Sequence, residues 1–257
     1  MGTPQSSSLV VVTGASSGIG RSIAIRLAAE GYQIVVDHFR DAEGAEETLK
    51  QVRAAGSDGW SFEADVGDAA EVARLFESIG DSGRRLHAVV NNAAVQTFAP
   101  LVELAEADFD RTLRTNLKGT FLCLQHAARL MLSAGMGGCI VNIGSGASKV
   151  PFPSLGDYAC SKSAIDMLTK VAAVELGPSK IRVNCVAPGA IENERTRRES
   201  PNYAQTWASQ TPLRRAGTET DVANSVAFLL SDEADFITGQ TLYVDGGLWT
   251  KIEWPYE

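Results

Sequence analysis

The sequence predicts one α/β domain in which a doubly wound parallel sheet carries helices on both faces. Three observations support this prediction. Short runs rich in Val, Ile and Leu alternate along the chain with segments of helical periodicity. The runs are almost continuously apolar, as expected for strands that are buried on both sides of a parallel sheet. The length of 257 residues suits a single α/β unit, and no repeat or Pro/Ser-rich linker divides it.

The elements alternate in a regular order. Strands are predicted at residues 9–13, 34–36, 60–64, 86–90, 139–143, 181–187 and 241–244. Helices are predicted at residues 19–30, 41–55, 68–80, 101–134, 157–177 and 221–230, the fourth interrupted near its start. Right-handed crossovers then wind the sheet in both directions. Within this single domain, 1–257, we interpret 1–7 as a frayed lead-in, the polar, irregular 190–216 as a substrate lid and 248–257 as a tail.

Composition narrows the range of functions. The net charge of −8 disfavours nucleic acid as the main partner, because phosphate contacts need a basic face. No apolar run approaches the ~20 residues of a membrane span, and the N-terminus lacks the layout of a signal peptide. The four cysteines form no C-x-x-C pair and the three histidines show no metal spacing. We therefore expect no membrane association, no metal and a reducing, cytoplasmic setting.

A glycine-rich segment joins the first predicted strand to the first helix. It reads Thr13-Gly14-Ala15-Ser16-Ser17-Gly18-Ile19-Gly20. Gly14 permits a tight turn, Gly18 allows backbone to approach a ligand, and Gly20 allows close helix–strand packing. The free N–H groups at the helix start suit a pyrophosphate. Glycines also close such turns for structural reasons alone, but this position in an alternating chain predicts a dinucleotide site.

Tyr158 and Lys162 are four residues apart on a predicted helix and therefore share one face. A lysine beside a tyrosine favours the phenolate and lowers the tyrosine pKa from its usual value of ~10. Tyr158 is thus a candidate general acid/base near neutral pH. The same spacing is common on ordinary amphipathic helices, so the pair by itself does not establish a catalytic site.

Together, the motifs resemble those of the short-chain dehydrogenase/reductase family, specifically its single-domain members of about this length. The resemblance implies a Rossmann-like NAD(P)-dependent oxidoreductase that moves a hydride between a nicotinamide and a small alcohol/carbonyl pair. The matches occur in order along nearly the whole chain. They are the segment 13–20, Asp65-Val66, Asn91-Asn92-Ala93-Ala94, Asn116, Ser145, Tyr158, Lys162, Pro188-Gly189 and Asp245-Gly246-Gly247.

The resemblance also implies roles for four catalytic residues. Tyr158 would protonate the carbonyl oxygen during reduction or take the alcohol proton during oxidation. Lys162 would lower the Tyr158 pKa and bind the nicotinamide ribose. Ser145 would hydrogen-bond the substrate oxygen, and Asn116 would hold a water that links Lys162 to solvent. Seen in isolation, Asn116 is better explained as a helix or turn cap.

The cofactor-binding residues that the resemblance implies lie in the loops after the strands. Asp65 and Val66 would border the adenine, although Asp65 alone is also an ordinary turn cap. Asn92 and Ala93 would line the crevice, and the segment after the sixth strand would contact the nicotinamide. The predicted set is Gly14, Ser16, Ser17, Gly18, Ile19, Gly20, His38, Arg40, Asp65, Val66, Asn92, Ala93, Ala94, Tyr158, Lys162, Pro188, Gly189 and Ile191.

Two positions depart from the family pattern. Ala94 stands where the family usually has glycine, which adds a methyl group near the cofactor. Asn193 stands where the family often has a threonine that meets the nicotinamide carboxamide. The Asn193 amide is the group that would replace it.

The end of the second strand bears on the choice between NAD and NADP. An acid there binds the ribose 2′-OH, whereas a nearby arginine accommodates a 2′-phosphate. Counted from Gly31, the family's acidic position falls on His38, and a shift of one residue along a strand turns Asp37 to the other side. Arg40 follows two residues later. We therefore expect NADP(H) rather than NAD(H), although Arg40 is also explained as a solvated loop charge.

The variable segments carry the substrate preference. Phe98, Phe152, Tyr203 and Trp207 predict a largely apolar pocket. Alternatively, Tyr203 and Trp207 simply pack the lid onto the body. The charge run at 192–199 contains arginines that would bind an acidic substrate, although most such runs are solvated. The partner is a small alcohol or carbonyl compound, and sugar or polyol dehydrogenases and 3-oxoacyl-carrier-protein reductases share this motif set.

Two alternative functions are considered, and the sequence also predicts an oligomeric assembly. A catalytically silent cofactor-binding sensor or interaction module is possible on the same fold, but the intact catalytic set favours an enzyme. Enoyl reductases of this type usually space their tyrosine and lysine more widely. By resemblance, the helices at 106–134 and 157–177 and the aromatic tail, with Trp249, Trp254 and Tyr256, build a homotetramer with 222 symmetry.

Overall fold

The computed structural model describes residues 8–250, which form one parallel sheet of seven strands with helices on both faces and a separate ribbon of two short strands. The strands are β1 (Ser8–Val12), β2 (Gln33–His38), β3 (Gly59–Glu63), β4 (Arg85–Asn91), β5 (Gly138–Ile143), β6 (Ile181–Pro188), β7 (Ile191–Glu192), β8 (Gly217–Thr218) and β9 (Thr241–Val244). The main sheet has the order β3-β2-β1-β4-β5-β6-β9. The predicted doubly wound arrangement is confirmed.

The helices occupy the crossovers between strands. They are α1 (Gly18–Ala28), α2 (Ala42–Ala54), α3 (Ala69–Asp81), α4 (Glu106–Leu113), α5 (Gly119–Ala134), α6 (Gly156–Leu176), α7 (Glu194–Glu199), α8 (Tyr203–Gln210) and α9 (Glu219–Leu230). Local sequence explains several starts. The Asp68 carboxylate accepts the Ala70 and Glu71 N–H groups at the start of α3, and Thr218 forms a capping box with Asp221 at the start of α9.

Both faces of the sheet are covered. Val10 and Val12 of β1 belong to a core layer with residues of α1, α2 and α9. Leu9 and Val11 belong to the opposite layer, with residues of α3 and α5. Because side chains alternate along a strand, a buried strand must be apolar at every position, which is why β1 reads as a continuous apolar run.

Parallel pairing brings the carboxyl ends of the strands to one edge of the sheet. Val12 is in register with Val36 of β2 and Val90 of β4, and Asn91 is in register with Asn142 of β5. The segments that follow these strands therefore meet at the point where the strand order reverses, between β1 and β4. Open α/β sheets bind ligands at such a point.

Two predicted segments differ from the structure. The helix expected at 101–134 is divided into α4 and α5 by a π-helical turn at Arg114–Lys118. The lid at 190–216, expected to be irregular, contains α7 and α8. The irregular assignment was wrong because Asn193 and Thr196 form a capping box and α7 carries i,i+4 ion pairs such as Arg195–Glu199.

The predicted lead-in at 1–7 and the part of the tail that holds Trp254 and Tyr256 lie outside the described residues. Between residues 8 and 250, no helix combines the length and the apolarity needed to cross a bilayer.

Candidate active site

Two adjoining cavities open at the carboxyl edge of the sheet. The first, which we name the loop crevice, has a volume of about 560 Å³ and extends beneath the glycine-rich segment to Asp65 and Val66. The second, the tyrosine cavity, has a volume of about 430 Å³ and contains Tyr158. Ile19, Asn92, Ala94, Asn193 and Arg195 line both. A ligand in one cavity can therefore reach a molecule in the other.

The glycine-rich segment adopts the conformation that its glycines predict. Gly14 and Gly18 have φ angles of 60° and 59°, a region that side chains disfavour. A Cβ at Gly20 would lie 2.4 Å from the Gly14 carbonyl oxygen, so only glycine fits there. Ser17 caps α1 without a side-chain hydrogen bond to its first N–H groups. Such a backbone cradle at a helix start has the form that fits a pyrophosphate, and binding of a dinucleotide there stays a prediction.

Side chains from β1 and β4 join the two loops at this edge. The Asn92 Nδ2 donates to the carbonyl oxygens of Thr13 and Gly14 at 2.9 and 3.1 Å. In return, the Thr13 hydroxyl accepts the N–H groups of Asn92 and Ala93 at 2.9 and 3.0 Å. The predicted crevice residues Asn92 and Ala93 are thus positioned, and the loop is held against the next strand.

Helix α2 supports the glycine-rich segment from the other side. The Thr48 hydroxyl donates to the Ala15 carbonyl at 2.9 Å. The Arg21 guanidinium donates to the carbonyls of Ser16 and Gly44, the latter at 3.1 Å. Sequence reasoning missed Arg21 and Thr48, because their role depends on the packing of α2 against the loop.

The position of Asp37 corrects the sequence-based expectation that this side chain faces away. Asp37 lines the loop crevice, and its Oδ2 accepts the Gly14 N–H at 3.2 Å. Its other oxygen, Oδ1, is buried and has no hydrogen-bond partner among residues 8–250. Burial raises the pKa of the Asp37 carboxyl well above its usual range. A buried acceptor without a partner fits a ligand that supplies a hydroxyl group at this position.

His38 and Arg40 do not occupy the positions expected of them. His38 is buried outside the crevice lining, and its Nδ1 lies 3.4 Å from the Asp41 N–H. Arg40 has a left-handed backbone with φ of 55° and places its guanidinium 4.8 Å from the centre of the Phe39 ring. Phe39, rather than Arg40, lines the crevice. The turn at Arg40 therefore sets which side chain after β2 faces the ligand.

Asp65 lies at the predicted adenine end of the loop crevice. Its Oδ1 accepts the Gly67 N–H at 2.9 Å, as in a turn cap, and its Oδ2 accepts from Arg114 at 2.8 Å. Both the structural and the functional interpretations of Asp65 thus have support. Arg114 was not predicted from the sequence, and it extends the crevice lining from the end of α4.

Tyr158, Ser145 and Lys162 converge in the tyrosine cavity. The Ser145 hydroxyl lies close enough to Tyr158 to oppose the rise in the Tyr158 pKa, and it accepts the Ala147 N–H at 3.1 Å. Lys162 is buried, with its Nζ donating to the Ile143 carbonyl at 2.7 Å and lying 5.5 Å from the centre of the Tyr158 ring. Helix α6 carries Tyr158 and Lys162, and Ser145 lies in the short turn that follows β5.

The expected lowering of the Tyr158 pKa by Lys162 was wrong for this structure. Burial raises the pKa of Tyr158, and the Ser145 hydrogen bond and the positive charge of Arg195 oppose that effect. Burial also lowers the pKa of Lys162 to about 8. Desolvation therefore favours the neutral form of both groups, and Tyr158 retains its proton at neutral pH.

Asn116 lies in the π-helical turn and is fully buried. Its Oδ1 accepts the Val95 N–H at 2.8 Å, and its Nδ2 donates to the Val95 carbonyl and to Ser161 at 2.8 and 3.0 Å. The side chain therefore joins the loop after β4 to α6. The main-chain carbonyl of Asn116 accepts from Thr120 at 2.7 Å. The water contact of Asn116 stays a prediction.

The segment after β6, predicted to contact the nicotinamide, lies in the tyrosine cavity. Pro188, Gly189 and Ile191 line the tyrosine cavity. The Asn193 Oδ1 accepts the Thr196 N–H at 2.9 Å, so this oxygen is engaged in capping α7. Thr196 itself lines the cavity. The sequence did not single out this threonine, because the capping box that positions it becomes evident only once α7 is known to form.

The aromatic residues expected in the substrate pocket do line the tyrosine cavity, namely Phe98, Phe152, Tyr203 and Trp207. Trp249 of the tail contacts this group. Its ring lies 5.1 Å from Phe152 and 6.3 Å from Trp207, centre to centre. The Asp245 carboxylate accepts the Trp249 N–H at 3.1 Å, which anchors the start of the tail beside the cavity.

Comparisons with known proteins agree with this geometry. The family model described as enoyl-(acyl carrier protein) reductase matches residues 14–249. The 3-oxoacyl-[acyl-carrier-protein] reductase FabG of Staphylococcus aureus is 41% identical over 239 residues, covering 93% of this chain and 97% of that protein.

Two solved structures are also similar. A putative short-chain alcohol dehydrogenase from Sinorhizobium meliloti is 36% identical with a TM-score of 0.91, over 97% of this chain and 99% of that one. A gluconate 5-dehydrogenase from Burkholderia cenocepacia, in complex with NADP and tartrate, is 32% identical with a TM-score of 0.88, over 95% and 96%. The likeness extends across the whole domain in each case.

The buried Lys162 makes the stability of the protein depend on pH. The pKa falls from 10.5 to about 8 on folding, so between these values the unfolded chain holds a proton that the folded protein has released. Stability from this group therefore rises with pH across that window, by about 3 kcal/mol. Urea unfolding at pH 7 and pH 10.5 measures the free energy of unfolding of the native protein and of Lys162→Met. We expect this free energy, taken relative to the variant, to be larger for the native protein at pH 10.5 than at pH 7.

Lys170→Met is the matched control on the same helix. A hydrogen bond from Lys170 to Asp166 raises the pKa of this exposed lysine, so its contribution is lost rather than gained as the pH rises. An unchanged difference between the native protein and Lys162→Met at the two pH values would contradict the prediction.

Proposed function

The chain belongs to the short-chain dehydrogenase/reductase family and is an NAD(P)-dependent oxidoreductase, and from this premise we propose that it reduces a small carbonyl compound, and oxidises the matching alcohol, with Tyr158 as the acid/base. The observation that carries the proposal is the convergence of Ser145 and Lys162 on Tyr158 in a cavity that adjoins the loop crevice. Because the two cavities adjoin, they can hold two ligands between which a hydride is transferred.

Each side chain of the site has a separate role in the reaction. A bound nicotinamide supplies the hydride for reduction and accepts it for oxidation. The Ser145 hydroxyl holds the substrate oxygen, and Tyr158 donates its proton to that oxygen as negative charge develops there. The raised pKa of Tyr158 keeps this proton available at neutral pH. Lys162, one helical turn from Tyr158 in the same cavity, would bind the nicotinamide ribose.

The names of the relatives support a hydroxyl/ketone pair. FabG is a 3-oxoacyl reductase, and the Burkholderia protein acts on gluconate. The tyrosine cavity, at about 430 Å³, holds a small substrate, and its aromatic wall favours a partly apolar one. The Tyr158–Lys162 spacing of four favours carbonyl reduction over the enoyl reduction in the description of the matched family model.

Tyr158→Phe tests the proposal, because it removes the transferable proton and little else. We expect oxidation of NADPH or NADH, followed at 340 nm with a panel of ketones, ketoacyl thioesters, ketoses and diketones, to fall at least ~100-fold while cofactor affinity is retained. Tyr32→Phe, which removes a hydroxyl near His87 at the amino edge of the sheet and outside both cavities, serves as the control. Full activity in the Tyr158 variant would remove this residue from the mechanism.

For the cofactor, we propose a preference for NADP(H). By the family resemblance, the position that carries an acid in NAD-dependent members holds His38, and the Arg40 guanidinium lies 4.8 Å from the centre of the Phe39 ring, which lines the loop crevice. The Burkholderia relative was solved with NADP. The buried Asp37 carboxyl acts against a 2′-phosphate only to the extent that it is ionised, and its pKa is raised.

Calorimetric titration with both cofactors measures this preference. We expect NADPH to bind more tightly than NADH, and Arg40→Ser to reduce the ratio of the two affinities about tenfold by removing a charged hydrogen bond. Arg53→Ser, on the exposed face of α2 and paired with Glu46, controls for the loss of a surface arginine. Tighter binding of NADH by the native protein would overturn the proposal.

For the assembly, we propose a homotetramer. Helices α5 and α6 expose large apolar side chains that a monomer would leave in water, including Phe121, Met167, Val171 and Val174. Light scattering at micromolar concentration should give four times the 27.3 kDa chain mass. Val174→Glu, at a position that is 79% exposed, should shift this mass downwards without loss of fold. A monomeric native protein would contradict the assembly.

A further inference from the structure

We propose that Arg195 selects substrates that carry a negatively charged group, such as a carboxylate, and binds that group on the α7 side of the tyrosine cavity. The inference rests on the proposed carbonyl chemistry of the same cavity. It identifies a class of substrate, an oxo acid or hydroxy acid with a partly apolar body.

Of the three arginines in α7, Arg195 is the one that faces the site. It lines the tyrosine cavity, the loop crevice and a third pocket beside Tyr158 that also contains Arg111 and Phe98, which we name the mouth. Arg197 and Arg198 line none of the three. They lie 3.8 Å from Glu192 and Glu194 respectively, as ordinary exposed ion pairs. The orientation of the helix thus separates one arginine from its neighbours.

The charge around the tyrosine cavity is opposite to that of the whole chain. Among the described residues that line this cavity and the mouth, Lys162, Arg111 and Arg195 are cationic and Glu199 is anionic. The chain as a whole carries a net charge of −8. A locally positive opening in an acidic protein attracts anions and excludes cations.

Arg195 retains the donors that an anion requires. Within residues 8–250, its side chain donates through Nη1 to Glu199, at 3.3 and 3.2 Å, while its other N–H groups remain available. Both side chains are about half exposed. An exposed i,i+4 pair is weak, so Glu199 can turn towards solvent when a ligand binds. A guanidinium binds a carboxylate through two parallel hydrogen bonds.

The place of Arg195 relative to Tyr158 and the aromatic wall defines the substrate further. Arg195 and Tyr158 both line the tyrosine cavity and the mouth, so an anionic group at Arg195 would lie near the reacting oxygen. Phe98, Phe152 and Trp207 line the remaining wall. A molecule with its carbonyl at Tyr158, its charge at Arg195 and its carbon chain along the aromatic residues uses every part of the cavity.

Binding of a matched pair of probes tests the inference without turnover. Hexanoate and hexanamide have similar shapes and differ in charge. We expect calorimetry on the NADP⁺-loaded protein to show hexanoate binding about tenfold more tightly, as a charged hydrogen-bonded pair predicts. Arg195→Gln should abolish the difference, whereas Arg198→Gln, the matched control on the same helix, should leave it unchanged. Glu199→Gln should increase it.

Two outcomes would overturn the inference. Equal affinities for hexanoate and hexanamide in the native protein would show that the cavity does not prefer anions. A loss of NADP⁺ affinity in Arg195→Gln, with the probe preference intact, would assign Arg195 to the cofactor instead.

A turnover comparison separates this inference from the proposed function. We expect a higher kcat/KM for a medium-chain 3-oxo acid than for its methyl ester, and Arg195→Gln should lower kcat/KM for the acid alone. An equal loss with both substrates would overturn the inference and leave the reductase chemistry intact. If neither compound is reduced but the probe preference is present, the proposed chemistry fails while the anion site stands.

Discussion

The parallel pairing of β1 with β4 is the interaction on which the site depends. Because the two strands run in the same direction and in register, the loops that follow them meet at one edge, where Thr13 and Asn92 exchange hydrogen bonds. These bonds fix the glycine-rich segment to the loop that follows β4, and both segments line the loop crevice. A parallel sheet needs helical crossovers, and these same crossovers carry Tyr158 and Lys162 on α6 to the edge where the loops meet.

Burial around Tyr158 has opposite effects on stability and function. The fold places a phenol and an amine where water is scarce, which raises the pKa of Tyr158 and lowers that of Lys162. A buried lysine destabilises the folded protein while it is charged, but the Ile143 carbonyl offsets part of this cost through a hydrogen bond. Groups with shifted pKa values in a cleft are typical of sites that transfer protons.

The substrate side of the site combines segments that are distant in the chain. The tail contributes Trp249, held by Asp245, and the lid contributes α7 and α8 with their inward aromatic and charged residues. These are the less regular parts of the fold. Since the sheet positions the reacting groups, the lid and tail can vary in sequence and alter the substrate without disturbing the chemistry.

The sequence by itself determined the strand–helix alternation, the glycine-rich segment and the shared face of Tyr158 and Lys162, because each of these follows from periodicity or spacing within a few residues. Tertiary structure decided the rest. The alternation of side chains along β2 turns Asp37, not His38, to the crevice, and Phe39 lines it ahead of the left-handed turn at Arg40. The effect of Lys162 on Tyr158 depends on burial by remote segments, and the role of Arg195 depends on how α7 docks. Such features are set by packing between residues far apart in the chain, which local patterns do not record.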